Sequence, residues 1–235
     1  MDKIYFIAKK ELATYFKSPI AYIILAVTIS IFNIFFFMII EQNQEASLRE
    51  FFQLTEFMFL FLVPLMTMRV FSEEKLTGTM EFLMTAPVTN TAIVLGKYIG
   101  VLSFFTVLIS MMLVYFVIIN YFGQPDRIET LVGYFGIWLE GAFFLAIGVM
   151  ASSWTRNQIV AAMITYLILF LLYFSPQFSQ YFEGPITMIF QQMSTVKHLE
   201  NLTSGIITIT DITYYISGIF ICIVFTRLSI ENRLA

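Results

Sequence analysis

The sequence predicts an all-α integral membrane protein, with six transmembrane helices preceded by an N-terminal amphipathic interfacial helix. Three observations carry that expectation. The 235 residues are 59% hydrophobic and only 12% charged, whereas a soluble domain is about 45–50% apolar and about 25% charged. Mean hydropathy is +0.83. Apolar stretches long enough to span a bilayer recur six times, at about 20–40, 51–71, 92–119, 131–151, 159–178 and 212–229. Basic residues are distributed unevenly between them. Lys3, Lys9, Lys10, Lys17, Arg69, Lys75, Lys97, Arg156, Arg227 and Arg233 fall on the side holding both termini. Only Arg49, Arg127 and Lys197 fall on the other. The positive-inside rule therefore places both termini in the cytoplasm.

The elements follow in order. Residues 1–18 read as a helix lying in the cytoplasmic interface. At 100° per residue, Ile4, Tyr5, Ala8, Leu12, Tyr15 and Phe16 form one face, and Lys3, Lys9, Lys10 and Lys17 the other. Ser18-Pro19 breaks this helix and turns the chain into the membrane. The first span is long enough to cross, and no small-residue cleavage site follows it, so it reads as an uncleaved helix rather than a signal peptide. After the second span comes SEEKLTGTMEFLMTAPVTN, Ser72 to Asn90, a charged and punctuated cytoplasmic segment. The third span is longer than a bilayer needs and should tilt or protrude. A short second cytoplasmic turn, Ser152–Gln158, follows the fourth, with Trp154 as an interfacial anchor. The external connection, 179–211, is too short for an ordinary folded domain. Pro185 can open a helix there, with Ile186, Ile189, Phe190, Met193, Val196 and Leu199 at helical spacing.

Much chemistry is excluded. The net charge of −3 gives no basic surface for nucleic acid. The single cysteine, Cys222, excludes an internal disulfide framework and reads as apolar packing. No P-loop and no H-E-x-x-H motif occurs, and the one histidine, His198, reads as a solvated residue of the external loop. No catalytic residue and no metal site is expected. Two acids interrupt the apolar spans, Glu56 and Glu140. A carboxylate in lipid is costly, so each should face the bundle interior, a partner subunit or water. Glu56 lies near the external end of its span. Glu140 is more central, between Gly136 and Gly141, which permit close helix approach. Glu140 either lines the passage or pairs across a helix contact, or is a neutral, hydrogen-bonded structural acid; the plainer reading of Glu56 is an interfacial acid near the external surface.

The Ser72–Asn90 segment resembles the signature region of ABC-2-type transporter permeases. The matching residues are the cluster Glu73-Glu74-Lys75, then Gly78-Thr79-Met80-Glu81, Phe82-Leu83-Met84, Pro87-Val88, and Gly96-Lys97 entering the third span. The resemblance covers the whole chain as one transmembrane domain, 1–235, and includes the basic elbow helix with Lys17-Ser18-Pro19. The chain looks most like the small permeases of gliding-motility and nitrous-oxide-reductase-maturation types.

The resemblance implies a non-enzymatic permease subunit of the cytoplasmic (inner) membrane, active as an exporter. A separate ABC ATPase subunit would hold ATP and magnesium, leaving no cofactor in this chain. It also implies a second permease chain, identical or not, forming the translocation path. On that reading, residues 72–90 are the coupling segment. Ser72 can cap a helix start, with Glu73 and Glu74 favourable in its first turn. Met80, Leu83 and Met84 form a short apolar face able to fill a partner's groove, and Glu81 can pair with a basic residue there. Pro87 ends the turn, and Asn90 can cap the third span. Thr155, Arg156 and Asn157 should add a smaller contact. The plainer alternative is a solvated loop whose apolar residues tuck against the bilayer. Two other functional readings stay open: a stand-alone channel or secondary transporter using Glu140 and Glu56, and an ABC-type assembly that does mechanical work without moving solute.

Overall fold

A computed structural model of the chain describes residues 2–43, 47–81, 88–182 and 184–231. Every regular element among them is helical. In chain order these are α1 (Asp2–Lys17), α2 (Pro19–Asn43), α3 (Arg49–Thr67), α4 (Ser72–Thr77), α5 (Asn90–Phe122) and α6 (Arg127–Trp154). They continue with α7 (Gln158–Tyr173), α8 (Ser175–Ser179), α9 (Pro185–Met193), α10 (Thr195–Thr203) and α11 (Ile209–Glu231).

The helix starts follow from local chemistry. Asp126 caps α6 by accepting from the amides of Ile128 and Glu129, Asn157 caps α7 through Ile159, and Ser194 caps α10 through Lys197. α5 is capped by Thr89, which accepts from the Ala92 amide, rather than by Asn90, which is its first residue. Pro19 and Pro185 open α2 and α9, where a missing N–H costs nothing.

α2, α3, α5, α6 and α11 are long and apolar enough to cross a membrane. The expected span 159–178 is divided. α7 stops at Tyr173, Phe174 leaves the helical backbone, and the five-residue α8 follows. Pro176 has no N–H to give to the Leu172 carbonyl, so the α7 ladder cannot continue through it. At about 1.5 Å per residue α5 is roughly 50 Å long, more than a bilayer core requires.

α6 is the axis of the bundle. In its most apolar window 89% of residues are buried, against 17% for α2 and 22% for α11. It packs against α3, α5, α7, α10 and α11. Small residues permit this: a Cβ at Gly141 would strike the Phe105 ring, and one at Gly148 would strike Thr67. A Cβ at Gly136 would lie 2.8 Å from that of Leu202, so α10 rests directly on α6. The peripheral helices show lipid-like surfaces instead, with Ile23, Val27 and Phe37 exposed on α2, Met163 and Leu167 on α7, and Phe220 and Phe225 on α11.

α1 is held more firmly than a helix merely resting on the interface. It packs along α5, where Gly96 and Gly100 let its backbone come close to Ile7 and Glu11. Lys9, Lys10 and Lys17 are exposed, as the helical pattern predicts. Tyr15 stacks on Phe104 at 4.8 Å between ring centroids and donates to the Met66 carbonyl at 2.6 Å. Phe16 meets the same ring edge-on. Tyr5, on the apolar face of the helix, is 62% exposed. The packed stripe runs through Ile4, Ile7, Ala8, Glu11 and Tyr15 instead.

In the external connection the expected amphipathic helix is two. It breaks at Ser194. Leu199 is buried, whereas Ile189 and Met193 are exposed. The side chain of Ile186 lies outside the described residues. His198 is not solvated: it is 8% exposed, its Nδ1 is 2.6 Å from Asp211, and its ring stacks on Tyr214 at 4.2 Å.

Candidate functional site

The end of the bundle that carries α1, α4 and the α6–α7 turn gathers most residues singled out in the sequence. α4 begins one turn after α3. Its capping position is Phe71, and no side chain caps it. Ser72 is fully buried, and its hydroxyl donates back to the Met68 carbonyl rather than capping forward. The cap is replaced from outside: Ser152 Oγ accepts from the amides of Phe71 and Ser72 at 2.9 and 3.2 Å.

A second connection runs the other way. Lys75 is buried and its Nζ donates to the Ser153 carbonyl at the C-terminal end of α6, where a cation is favourable. The same carbonyl accepts from Ser229 of α11 at 3.1 Å. Arg69 Nε donates to Gln158 Oε1 at the start of α7. α4 and the α3–α4 connection are therefore bonded together to both sides of the second turn.

A third connection is a buried charge cluster. Lys97, on α5, has a side chain only 3% exposed. Its Nζ lies 2.9 Å from Glu74 Oε1 and 3.4 Å from Glu11 Oε2, donates to the Val70 carbonyl at 2.7 Å, and sits over the Phe71 ring. One ammonium thus joins α1, α4, α5 and the end of α3. Burial raises the Glu11 carboxyl above its ordinary range, while Lys97 pulls it back.

What remains on the surface is a short, shaped turn. Glu73, Leu76, Thr77, Gly78, Thr79 and Glu81 are exposed. Gly78 ends α4 at φ +74°, a conformation open to glycine at no steric cost, which accounts for the glycine of Gly-Thr-x-Glu. Thr77 donates to the Glu73 carbonyl and its hydroxyl meets that of Thr79 at 2.9 Å. Met80 is turned inward and belongs to the apolar core at 5% exposure, so among the described residues of this segment the outward apolar one is Leu76, at 66%. Leu83, Met84 and Pro87 lie outside the described residues. In the second turn Thr155 and Asn157 are engaged locally, Asn157 as the α7 cap, and Arg156 is exposed.

The two acids of the spans meet elsewhere. Glu56 of α3 and Glu140 of α6 are 2% and 0% exposed, and their carboxyl groups lie against each other. Thr195 Oγ1 donates to Glu56 at 3.4 Å. No other donor among the described residues reaches either oxygen of Glu140. A cavity of about 220 Å³, lined by Gln53, Glu200 and Thr203 among others, leads to Glu56 from the side of α10. Among the described residues no group of histidine, cysteine and carboxylate side chains could hold a metal ion.

The family model described as ABC-2 family transporter protein matches residues 5–221. The chain belongs to the ABC-2 transporter family. A search of curated proteins gave no match. Membership makes this chain a multi-pass membrane protein and the permease component of an ABC transporter.

Within the permease, sequence reasoning missed Glu11, Leu76, Ser152 and Ser153, and gave Lys97 as a positive charge and as part of Gly96-Lys97 without its buried partners. The available signal was an acid among the lysines of α1 and a lysine inside an apolar run. Each is expensive alone and suggests the other as a partner.

Proposed function

We propose that the permease is the transmembrane subunit of an ATP-driven exporter. Two permease chains form the path, and separate ATPase subunits engage each one through the surface of α4. The observation that carries this is mechanical. A small exposed turn, Glu73–Glu81, is bonded to α6 by Ser152 and Lys75 and to α1 and α5 by Lys97. A push on that turn is transmitted to the spans rather than absorbed by a loop. Leu76 supplies an apolar knob for a groove, and Glu73 and Glu81 supply flanking charge. Arg156 adds a contact from the second turn. Leu83, Met84 and Pro87 complete the proposed surface. ATP and magnesium belong to the partner. Coupling requires that the turn make different contacts in two states of the ATPase.

The test is co-purification and transport-linked ATPase activity of the complex with Leu76→Asp and Glu81→Lys. Retained association with unchanged coupling in the double variant would reject the docking surface.

The acid pair favours a second reading, in which cation or proton movement is part of the permease's work. Two apposed buried carboxyl groups, with no donor among the described residues at Glu140, favour a shared proton or a cation over two bare negative charges. Flux through the purified permease without any ATPase, abolished by Glu140→Gln, would support it.

A further inference from the structure

We propose that the cleft between α1, α2, α3 and α4 binds the phosphate headgroup of a bilayer phospholipid. The cleft has a volume of about 480 Å³, within the range of small-molecule sites. Its two halves differ in chemistry. Lys10, Lys17 and Arg69 give its lining basic groups, and Ile20, Ile24 and Leu65 give it an apolar side. A phosphate above a glycerol and the first acyl carbons has that same division, and basic pockets between helices at the membrane surface suit it.

The charges of the lining are not all equally available. Glu11 and Glu74 also line the cleft, but Lys97 already engages both. Arg69 gives its Nε to Gln158, and no described residue takes its terminal guanidinium nitrogens. Nor does any described residue form a hydrogen bond or ion pair with the side chains of Lys10 and Lys17. Glu73 stands exposed at the edge. With Lys97, Glu11 and Glu74 counted, four cations and three acids line the cleft, leaving it a net positive charge. The apolar lining favours a lipid over a free anion: Ile20 and Leu65 are 40% and 42% exposed beside the basic groups, where a glycerol and first acyl carbons would cover them. Tyr5 and Phe6, exposed on the same interfacial helix, fit an element lying on lipid. A lipid in this cleft would touch α1, α3 and α4 together, beside Lys97.

The test is native mass spectrometry of the full detergent-purified chain titrated with phosphatidylglycerol or with inorganic phosphate. The double variant Lys17→Gln/Arg69→Gln is expected to weaken phosphatidylglycerol binding about thirtyfold. Lys9→Gln, one position from the cleft and outside it, should change binding less than about twofold. Ile24→Trp fills the apolar side, leaves the charges, and should weaken lipid binding as well. If the double variant does not fold, Lys17→Gln alone, on an exposed side chain, should lose about fivefold. Equal losses from Lys9→Gln and Lys17→Gln would show diffuse surface attraction and overturn the site. Inorganic phosphate binding as strongly as phosphatidylglycerol, or Ile24→Trp without effect, would overturn the lipid assignment.

Discussion

Replacing Lys97 with methionine removes the ammonium that joins α1, α4 and α5 while keeping most of the side-chain volume. The variant leaves Glu11 and Glu74 facing each other in a site closed by Phe71, and the Val70 carbonyl loses its 2.7 Å donor. Removing one partner of a buried ion pair costs about 3–5 kcal/mol. The lower end applies, because the Glu11 and Glu74 side chains keep 15% and 21% exposure and part of their charge remains hydrated. A loss of about 3 kcal/mol in a chain of this size lowers the unfolding midpoint by about 6–12 °C. Intrinsic fluorescence of Trp138 and Trp154 during heating in detergent reads that midpoint. Adding Glu11→Gln and Glu74→Gln to Lys97→Met should recover most of the loss, since the charges left without a partner are then gone. A midpoint within 2 °C of wild type for Lys97→Met, or no recovery in the triple variant, would refute the view that one buried charge fastens this end of the bundle.

Further outcomes follow from the same geometry. Because burial raises the Glu11 carboxyl, its contribution to stability is present at acid pH and lost as pH rises through the raised value. Glu11→Gln should flatten the fall of the midpoint over that range, which a pH series of melts measures. His198→Ala leaves Asp211 buried with only Asn201 and Thr208 as side-chain donors; it should destabilise by about 1–3 kcal/mol, seen as a lower midpoint. Gly141→Val drives a branched side chain into the Phe105 ring and should cost about 1–3 kcal/mol or prevent monodisperse elution. Met80→Asp should act as a folding defect, and Leu76→Asp should leave the midpoint within about 1 °C while weakening association with an ATPase, as measured by pull-down.

The helices were legible because their determinants are local. Apolar length set α2, α3, α5, α6 and α11, and the basic–apolar alternation of residues 1–18 set α1. The less accurate readings concern which neighbour wins when two are chemically equivalent. Thr89 and Asn90 both can cap α5, and the backbone extends at Thr89. Ser72 could have capped α4, but burial against α6 turned its hydroxyl back to Met68. A short segment such as Met80–Glu81 has an apolar face in the sequence but no mark of whether that face looks toward the core or a partner. Lys97 was the least legible. Its acids come from positions 86 and 23 residues earlier, and no local pattern links such distances. The acid pair shows the same limit: Glu56 and Glu140 were each visible as anomalies, but only the packing of α3 on α6 sets them face to face.

The order of the charges along the chain also bears on how this protein is made. Glu11 and Glu74 are synthesised before Lys97, and both belong to segments that precede the third long span. When that span emerges, both acids that its lysine engages have already been made. In the reverse order the lysine would be made before either acid. The fastening at Lys97 therefore draws on Glu11, Val70, Phe71 and Glu74, all from chain made before it.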